Sequence, residues 1–535
     1  MSRNVDVIVV GAGHNGLIAA GYLARAGLDV LVVEAAETVG GMMSTNAVIP
    51  ETPDYRFNEG AMDNSLFRAT RIAEDLRLAE FGYREIEIDP PYVYLDSEDA
   101  SLCIWRDPRK TATELEYYSR RDAATYLQLI RDLRGVMDVM VPYMLSRPTR
   151  PDLTKIVSGA KGVLRHPGRW APLARLMSAS HAEAIEENFE HPMIRGPLAA
   201  LPPFAQIEAE ATGWSLIYFG IIQKLGVSRI VGGTGGLTDA LAASLQAAGG
   251  RIRTGAVVAG LNVDKGRVTG VRLDNGEELR ARAVVTTCNP KVTLLDLLPA
   301  GVLSEVQVVR AKGIPTAGQA ASSFKINIAL DGRSGLSRYE ARRGDGLDLR
   351  KPAMAWATYE EHVEAWKACS RGELPRTLPG IAILPTATDP SQAPAGKDTF
   401  WWWTGIAAAH PRESWKTLGE RAANDVIKDV AAHLDSIDEL EIGRQVLTPD
   451  DIAVRFRAPD GNVYHVDANM TRFGPLRPAP GFGGYRTPVP GLFLSGAGTH
   501  PSAGICGVPG QLAARAVLRD FKKHDGRLSQ AAVRG

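Results

Sequence analysis

The chain has 535 residues, of which 45% are hydrophobic and 23% are charged, which is ordinary usage for a globular protein with a substantial core. Lysine plus arginine equals aspartate plus glutamate at 61 each, so the charge balance excludes nucleic acid as an expected partner. The four cysteines lie far apart, without a C-x-x-C pair or the spacing of metal ligands. This pattern favours a reducing compartment, excludes chemistry by adjacent redox cysteines and predicts no metal site.

The first predicted elements are a strand, a glycine turn and a helix. The β-branched run Val5–Val10 leads into Gly-Ala-Gly-His-Asn-Gly, and small residues predict a helix over 17–26. Such a unit aims backbone N–H groups and the positive end of the helix at a pyrophosphate. Gly11 permits the tight turn, Gly13 lets the backbone approach the phosphates, and Gly16 lets the helix pack closely on the strand. The pattern therefore predicts a dinucleotide site.

An acid and a glycine pair follow the predicted helix. The second predicted strand, Asp29–Val33, ends at Glu34, about 20 residues beyond the turn, where an acid can accept hydrogen bonds from both ribose hydroxyls. An acid there would repel the 2′-phosphate of NADP. The pair Gly40-Gly41 lets the chain pass close to a diphosphate and a ribityl chain, which favours FAD over NAD. An ordinary turn before a strand is the alternative interpretation of the pair.

An amphipathic helix is predicted in the region that follows. Ser119-Arg-Arg-Asp122 can act as a capping box, and Arg131–Met177 contains nine Arg or Lys residues against three Asp. Such a basic amphipathic stretch can lie on an anionic membrane surface, although a core-facing helix with a solvated basic side is the stronger alternative. Apolar residues at helical spacing form its predicted buried face: Tyr126, Ile130, Leu133, Met137 and Met140.

A second nucleotide-binding block is predicted in the middle of the chain. It begins with the glycine-rich segment 229–236 and ends before Asn289-Pro290. Between these points the pattern predicts a helix over 237–248 and strands at 251–253, 257–263, 268–273 and 283–287.

Two stretches outside this block are candidates for the wall of an apolar pocket. Ala211–Gln223 is uncharged and contains Trp214, Tyr218 and Phe219. Three successive tryptophans at 401–403 are expected on a strand, where side chains alternate between the two faces. At least one indole should therefore meet the core or a substrate, and plain core packing is the simpler explanation.

The C-terminal tail carries a second glycine-rich motif. The segment 491–501 leads through 503–508 into a helix of small residues. We expect the start of this helix to face a flavin, and a Cβ at Gly507 to press on the cofactor or on a crossing backbone. His500 titrates in a useful range and is the candidate catalytic base. The alternative is that His500 only holds the loop through backbone hydrogen bonds.

Two apolar stretches have the length of a membrane span, but neither is predicted to be one. Glycines interrupt both Val7–Ala24 and Thr487–Ala514, as they do in cofactor loops. Asp6 beside the first stretch argues against a signal peptide. We therefore expect a cytoplasmic protein, either freely soluble or in peripheral contact with a membrane. The sequence does not indicate the oligomeric state.

These motifs resemble those of the phytoene desaturase-type FAD-dependent oxidoreductases. The resemblance covers 11–41, 232–290 and 496–514, and the tail is close to the signature of bacterial carotenoid desaturases. Within that superfamily the chain most resembles the branch of pyridine nucleotide-disulfide oxidoreductase domain-containing protein 2, which the segments 461–465 and 483–486 fit. In one departure, related flavoproteins often place an arginine after the glycine pair, where this chain has Met42-Met43. A charged contact near the flavin is therefore missing or supplied elsewhere.

The resemblance implies a set of cofactor residues. In the resembling families the strand that holds Val258 lines the adenine through its backbone, a role that nothing else in this sequence indicates. Together with the motif glycines and the ribose acid, the expected FAD-binding residues are Gly11, Gly13, Gly16, Glu34, Gly40, Gly41, Met42, Val258, Gly496, Gly498, Ile505, Gly507 and Val508.

The expected fold is α/β. We predict a Rossmann-like FAD-binding domain assembled from discontinuous segments, with an α+β substrate domain interleaved between them. The segments expected in the FAD-binding domain are 1–80, 225–300 and 481–535, and those expected in the substrate domain are 81–224 and 301–480.

The function implied by the resemblance is that of a dehydrogenase or desaturase. It would oxidise C–C bonds of an apolar polyene or ring-bearing substrate by hydride transfer to flavin N5, and pass the electrons to a quinone or to oxygen. A flavin amine oxidase that acts on C–N bonds is the first alternative. A non-redox isomerase or a scaffold flavoprotein is the second. No Ser-His-Asp order supports a hydrolase.

Overall fold

The computed structural model describes residues 4–154, 157, 160–161, 170–201, 206–317, 320–501 and 504–525. Its strands in chain order are Val5–Val10 (β1), Val30–Val33 (β2), Thr45–Asn46 (β3), Phe57–Asn58 (β4), Glu85–Ile88 (β5), Tyr92–Leu95 (β6), Ser101–Ile104 (β7), Val227–Ile230 (β8), Arg251–Arg253 (β9), Val258–Asp264 (β10), Arg267–Leu273 (β11), Glu278–Thr286 (β12), Ala321–Leu330 (β13), Ala353–Ala355 (β14), Ile381–Ile383 (β15), Asp398–Ala408 (β16), Glu441–Leu447 (β17) and Leu492–Leu494 (β18).

Its α-helices in chain order are His14–Arg25 (α1), Ile72–Asp75 (α2), Pro108–Glu116 (α3), Arg120–Met144 (α4), Trp170–Ser178 (α5), His181–Glu186 (α6), Pro192–Ala200 (α7), Ile217–Leu225 (α8), Gly235–Ala247 (α9), Pro290–Val292 (α10), Glu305–Lys312 (α11), Ser337–Arg343 (α12), Tyr359–Ser370 (α13), Trp415–Ala431 (α14), Ile437–Leu440 (α15), Pro449–Arg455 (α16) and Val508–Asp525 (α17). The predicted helices at 17–26 and 237–248 are observed as α1 and α9. No described helix combines the length and apolar character that crossing a membrane requires.

The first sheet places the glycine turn at a shared strand edge. Its order is β10-β11-β12-β1-β2-β9, with β18 also paired to β12. Strand β1 pairs in parallel with β2 and β12, and β12 pairs in parallel with β18. These four strands therefore end at the same edge. In open α/β sheets, ligands bind beyond the carboxyl ends of parallel strands, so a cofactor site is expected there.

Both faces of the first sheet are buried. Val7 and Val9 of β1 pack into a core with α1, α9 and α17. Ile8 and Val10 point to the opposite face and pack into a second core with residues of 294–314. Because parallel strands are covered on both sides, they read in sequence as continuous apolar runs, which is why β1 could be recognised.

The second sheet has the order β17-β13-β16-β15-β14-β6-β7. Trp402 and Phe324 point to one face and pack on α14, in a core that includes Trp415. Trp401 points to the other face and shares a core with Tyr92. The predicted alternation of the three tryptophans is confirmed. We call the second face the aromatic face, and it bears Tyr92, Tyr94, Ile383, Trp401 and Trp403.

Helix α4 differs in part from its prediction. The hydroxyl of Ser119 accepts a hydrogen bond from the N–H of Asp122 at 3.1 Å, as expected. The carboxylate of Asp122 instead accepts from the N–H groups of Glu190 and His191, because α4 packs against the segment that precedes α7. Only half of the predicted capping box is therefore formed. The predicted face is buried through Tyr126, Ile130, Leu133 and Met137, and Met140 is half-buried.

The two sheets draw on different parts of the chain. The first takes strands from 5–33, 251–286 and 492–494, and the second from 92–104 and 321–447. The bounds of an FAD-binding and a substrate domain stay a prediction. Part of the basic stretch 131–177 lies outside the described residues.

Candidate functional site

The glycine turn after β1 is built as the sequence predicts. Gly11 has φ +100°, which favours glycine. A Cβ at Gly16 would lie 2.0 Å from the carbonyl oxygen of Gly11, so helix and turn could not approach so closely with a side chain there. A Cβ at Gly13 would meet no protein atom nearer than 3.9 Å, the carbonyl oxygen of Gly40. The backbone at Gly13 therefore leaves room for a ligand group such as a phosphate to approach.

Glu34 lies at the end of β2, beside this turn. Its carboxylate accepts hydrogen bonds from the N–H of Ala12 at 2.6 Å and from the N–H of Ala36 at 2.9 Å. An ionised carboxylate has about four acceptor positions, so the group keeps capacity for ribose hydroxyls. The N–H of Ala256 donates to the carbonyl oxygen of Glu34 at 2.7 Å. This bond places the start of β10, with half-buried Val258, close to the same acid.

The glycine pair crosses the turn. Gly40 has φ +120° and donates its N–H to the carbonyl of Ala12 at 3.0 Å. A Cβ at Gly41 would lie 3.5 Å from the Cα of Gly13. The carbonyl of Met42 accepts from the N–H of Ala61 at 2.8 Å. This contact ties the segment after β4, residues 59–63, to the cofactor motifs. We call residues 59–63 the flavin-side loop.

The tail motif meets the glycine turn through a residue that sequence reasoning missed. A Cβ at Gly11 would lie 2.3 Å from Thr287 Oγ1, and one at Gly496 would lie 2.8 Å from the carbonyl of Thr287. Thr287 follows β12 directly, so both glycines pack on the carboxyl end of that strand. Gly498 is equally confined, because its Cβ would lie 2.4 Å from Pro290 Cδ. A threonine at a strand end carries no motif signal, and only the sheet order reveals its place.

Helix α17 begins at Val508, and Ile505 and Val508 are buried. A Cβ at Gly507 would lie 2.6 Å from Ile18 Cδ1 and would meet a second side chain, so the crossing backbone expected at Gly507 is not there. The close backbone crossing occurs at Gly510, whose Cβ would lie 2.3 Å from the carbonyl oxygen of Asn15. The alternative expectation, that a Cβ at Gly507 would press on the cofactor, stays a prediction.

The candidate base His500 is enclosed by aromatic rings. It is 1% exposed, and its ring centroid lies 5.2 Å from that of Tyr143 and 5.8 Å from that of Phe473. Its Nε2 lies 3.3 Å from the carbonyl of Tyr143. Burial lowers the pKa of His500 to about 4, so the imidazole is neutral at physiological pH. The structure places His500 in the tail motif, and a catalytic role for it stays a prediction.

Two other histidines and a cysteine near the motifs are also uncharged. Burial lowers the pKa of His14, in the first turn of α1, and of His465 to about 4 each. Burial raises the pKa of the Cys506 thiol to about 12. Cys506 therefore keeps its proton, which agrees with a packing role. Among the described residues, no cluster of three acidic, histidine or cysteine side chains could hold a metal ion.

An aspartate and two tyrosines form a hydrogen-bonded chain that the sequence did not reveal. Tyr92 Oη lies 2.9 Å from Asp63 Oδ2 and 2.6 Å from Tyr218 Oη. Because a carboxylate only accepts, Tyr92 donates to Asp63 and accepts from Tyr218. Burial raises the pKa of both tyrosines, so they keep their protons. The chain links the flavin-side loop, the aromatic face and α8, and Arg229 Nε lies 3.4 Å from Asp63.

A buried lysine also lies on the aromatic face. Lys325 on β13 is 2% exposed, donates to Asn327 Oδ1 and lies 5.2 Å from the Trp401 ring centroid. Burial lowers the pKa of Lys325 well below its ordinary value. A single lysine within the otherwise uncharged run 321–330 was the available sequence signal.

Comparisons with known proteins agree with this geometry. A model described as an NAD(P)-binding Rossmann-like domain matches residues 9–66, and one described as FAD dependent oxidoreductase matches residues 231–384. The chain is 28% identical to the pyridine nucleotide-disulfide oxidoreductase domain-containing protein 2 of Rattus norvegicus, over 97% of this chain and 94% of the relative.

Two bacterial relatives are similar over nearly their whole length. A phytoene desaturase (neurosporene-forming) of Cereibacter sphaeroides is 25% identical over 98% of this chain and 97% of the relative. A limonene dehydrogenase component of Castellaniella defragrans is 24% identical over 97% of this chain and 95% of the relative.

Solved structures share the fold at lower identity. An oxidoreductase from Methanosarcina mazei aligns with a TM-score of 0.61 at 17% identity, over 96% of this chain and 100% of the other. Wild-type putrescine oxidase bound to putrescine aligns with a TM-score of 0.59 at 14% identity, over 98% and 100%.

The chain is an FAD-dependent oxidoreductase, and FAD is its cofactor. The cradle fits that group, since Gly13 borders open space, Glu34 has acceptor capacity, and the glycines of both termini meet at one strand edge. Within this class the chain is phytoene desaturase-like, as its tail motif indicated. The particular set of FAD-binding residues stays a prediction.

Proposed function

We propose that this protein is a dehydrogenase or desaturase that oxidises a C–C bond of an apolar polyene or ring-bearing substrate. The observation that carries the proposal is one continuous apolar cluster, which joins Met62 of the flavin-side loop to Tyr92, Phe219 and Trp401. An apolar cluster that reaches a loop tied to the cofactor motifs suits a hydrocarbon, because ligand pockets are lined predominantly by hydrophobic and aromatic side chains. The names of the phytoene and limonene relatives support the same substrate class.

Bound FAD supplies the hydride acceptor for such a reaction. The chain itself has to accept the proton that leaves the neighbouring carbon, and we propose the Asp63–Tyr92–Tyr218 chain for that role. As Tyr218 oxygen accepts the proton, Tyr218 passes its own proton to Tyr92, which passes its own to the Asp63 carboxylate. His500 is the alternative acceptor, and burial lowers the pKa of its imidazole to about 4.

Oxidation of C–N bonds is the second candidate function. The similarity to putrescine oxidase supports the fold for it, and the paired rings of Tyr92 and Tyr218, with centroids 6.3 Å apart, support an aromatic site. We favour the hydrocarbon substrate because the cluster around these rings is apolar and continuous.

Anaerobic reduction of the flavin separates these functions. FAD-loaded protein is mixed without oxygen with phytoene in lipid vesicles, with limonene or with putrescine, and loss of the yellow absorbance is followed. The proposal expects bleaching by a hydrocarbon and none by putrescine. Bleaching by putrescine alone would establish the amine oxidase. Conversion of the hydrocarbon to an isomer, without bleaching, would establish the isomerase, and the absence of any reaction would contradict the proposal.

The acceptor chain is tested on the hydrocarbon that bleaches the flavin. Asp63→Asn and Tyr218→Phe should slow bleaching by about a hundredfold or more, which is the usual contribution of a positioned acid or base. His500→Asn should retain most of the rate at saturating FAD. If His500→Asn bleaches slowly while Asp63→Asn bleaches at nearly the unmodified rate, His500 is the proton acceptor.

We further propose peripheral contact with an anionic membrane, with a quinone as electron acceptor and oxygen as the alternative. The C-terminal part of α4 supports this, because residues 139–145 are all half-buried and mostly apolar. Leu153 and Val157 follow with 66% and 52% exposure, and Arg150 lies between these stretches. Apolar residues beside basic ones suit an anionic lipid surface.

Sedimentation with vesicles tests this contact. The protein should sediment with vesicles that contain phosphatidylserine, and Leu153→Glu should weaken that binding. Equal recovery in the supernatant with and without vesicles would contradict the contact. Faster reoxidation of reduced flavin by a soluble quinone than by air would support the quinone.

A further inference from the structure

One of the largest buried side chains in the protein is a cation. Arg477 is 1% exposed, and the described hydrogen bonds of its guanidinium all end on main-chain carbonyl oxygens. The N–O distances lie between 2.8 and 3.5 Å, and the acceptors are the carbonyls of Tyr464, Val466, Asp467, Arg472 and Ala497.

These carbonyls belong to stretches that the cofactor site has to hold together. Ala497 lies between Gly496 and Gly498 of the tail motif, and its carbonyl oxygen accepts a hydrogen bond from Nη2 of Arg477 at 2.8 Å. The loop 464–467 contains His465, which lies against the tail, since a Cβ at Gly498 would be 3.5 Å from His465 Cβ. A guanidinium presents five donors in a rigid fork. Arg477 therefore fixes the tail motif against this loop.

Among the described residues, no carboxylate forms an ion pair with this guanidinium, although the charge of Asp467 raises its pKa. Burial lowers the pKa of Arg477 to about 9, which leaves it protonated at neutral pH. The neighbouring acid, Asp467, accepts a hydrogen bond from the amide of Asn462 at 2.7 Å. The buried cation Arg229, by contrast, lies 3.4 Å from the carboxylate of Asp63. A buried charge without a contacting counter-ion acts over several ångströms, because the interior screens it weakly.

Arg477 thus differs from the other basic groups of the site. His14, His465 and His500 are neutral at physiological pH, and burial lowers the pKa of Lys325 well below its usual range. The two positions after the glycine pair hold methionines instead of the arginine found in related flavoproteins. We propose that Arg477 is the positioning residue that holds the tail motif and supplies, from the opposite end of the chain, the positive charge that stabilises reduced flavin.

Two substitutions separate the fork from the charge. Arg477→Lys keeps the charge but not the fork, and Arg477→Gln loses both. Arg472→Gln is the matched control, because Arg472 lies in the same loop, is half-exposed and donates only to the carbonyl of Gly313 at 3.1 Å among its described bonds. The measurements are the dissociation constant of FAD from reconstituted protein and the two-electron midpoint potential of the bound flavin. Neither requires a substrate, so the result is independent of the proposed reaction.

Arg477→Gln should weaken the binding of oxidised FAD by about tenfold or more. It should weaken the binding of reduced FAD by about a further fivefold or more, which makes the midpoint potential more negative. Arg477→Lys should weaken binding while keeping a potential near that of the unmodified protein. Arg472→Gln should change neither quantity.

The outcomes that overturn the proposal are equally specific. If the midpoint potential is the same in the unmodified protein, Arg477→Lys and Arg477→Gln, the charge of Arg477 does not stabilise reduced flavin. Unchanged FAD affinity in both variants would refute the positioning role. If Arg477→Gln loads poorly, titrations with excess oxidised and reduced FAD give the same potential difference by linkage. If it does not fold, Arg477→Lys decides, since a more negative potential in that variant would contradict the proposal.

Discussion

Replacing Gly16 by alanine should weaken FAD binding without unfolding the protein. Gly16 lies in the first turns of α1, and a Cβ there would lie 2.0 Å from the carbonyl oxygen of Gly11 and 3.1 Å from its carbon. Ordinary contacts lie near 3.5 Å, so the N-terminus of α1 would have to retreat by roughly 1.5 Å. Both contacting atoms are backbone, so no side-chain rotation relieves the clash.

The magnitude follows from what this movement displaces. Overpacking of this kind costs about 1–3 kcal/mol, and the displaced helix start carries the N–H groups and the dipole that bind a pyrophosphate. Because about 1.4 kcal/mol corresponds to a tenfold change in affinity, we expect FAD affinity to fall by about tenfold or more. The assay is titration of FAD into the apo-protein, followed by flavin fluorescence.

Gly21→Ala is the matched control in the same helix. A Cβ there would meet only side-chain atoms, the nearest being Leu76 Cδ2 at 3.3 Å, and leucine can rotate. Alanine also favours the helix by up to about 1 kcal/mol over glycine. This variant should keep its flavin and its stability. If folded Gly16→Ala binds FAD as tightly as Gly21→Ala, the assigned role of the glycine turn is refuted.

Three further predictions address the acid, the tail and the histidines. Glu34→Ala should lower FAD affinity by about tenfold or more, since charge-assisted hydrogen bonds are worth about 1.5–3 kcal/mol each. Replacement of the exposed Glu37 by alanine should leave the affinity unchanged. Equal FAD occupancy of the two variants in equilibrium dialysis would contradict the role of Glu34. Gly507→Val should contain less flavin per protein than Gly266→Val. Both glycines have positive φ, but of the two only Gly507 has atoms within 4 Å of an added Cβ. Equal flavin-to-protein absorbance ratios in the two variants would contradict the need for a small residue at Gly507. The thermal unfolding midpoint should fall as the pH is lowered from about 6.5 to about 4. Burial holds the pKa values of several histidines at about 3 to 4, whereas histidines of the unfolded chain are protonated near pH 6.5, so the unfolded state binds more protons in this range. A midpoint that stays constant over this range would contradict the prediction. The histidines concerned are His14, His181, His362, His433, His465 and His500.

The sequence revealed the parts of the site that depend on local chemistry. Gly11 and Gly40 take positive φ values, and Glu34 ends a buried strand, so each leaves a local pattern that can be read without a structure. The alternation of the tryptophans at 401–403 also follows from strand geometry alone. These features identified the cofactor and the fold class.

The remaining parts depend on contacts between distant segments. Thr287 joins Gly11 to Gly496 only because β12 lies between β1 and β18. The Asp63–Tyr92–Tyr218 chain unites three elements that are far apart in sequence. Arg477 reads as an ordinary surface residue until its carbonyl partners are known. Periodicity and motif spacing carry no information about such pairings.

The identity of the released cofactor tests the central claim most directly. Purified protein is denatured, the precipitate is removed, and the supernatant is examined by absorbance and mass spectrometry. Non-covalent FAD held by the glycine motifs of both termini predicts a yellow supernatant with the mass of FAD and a colourless pellet. NADP as the sole nucleotide, or flavin that remains with the precipitated chain, would contradict the account.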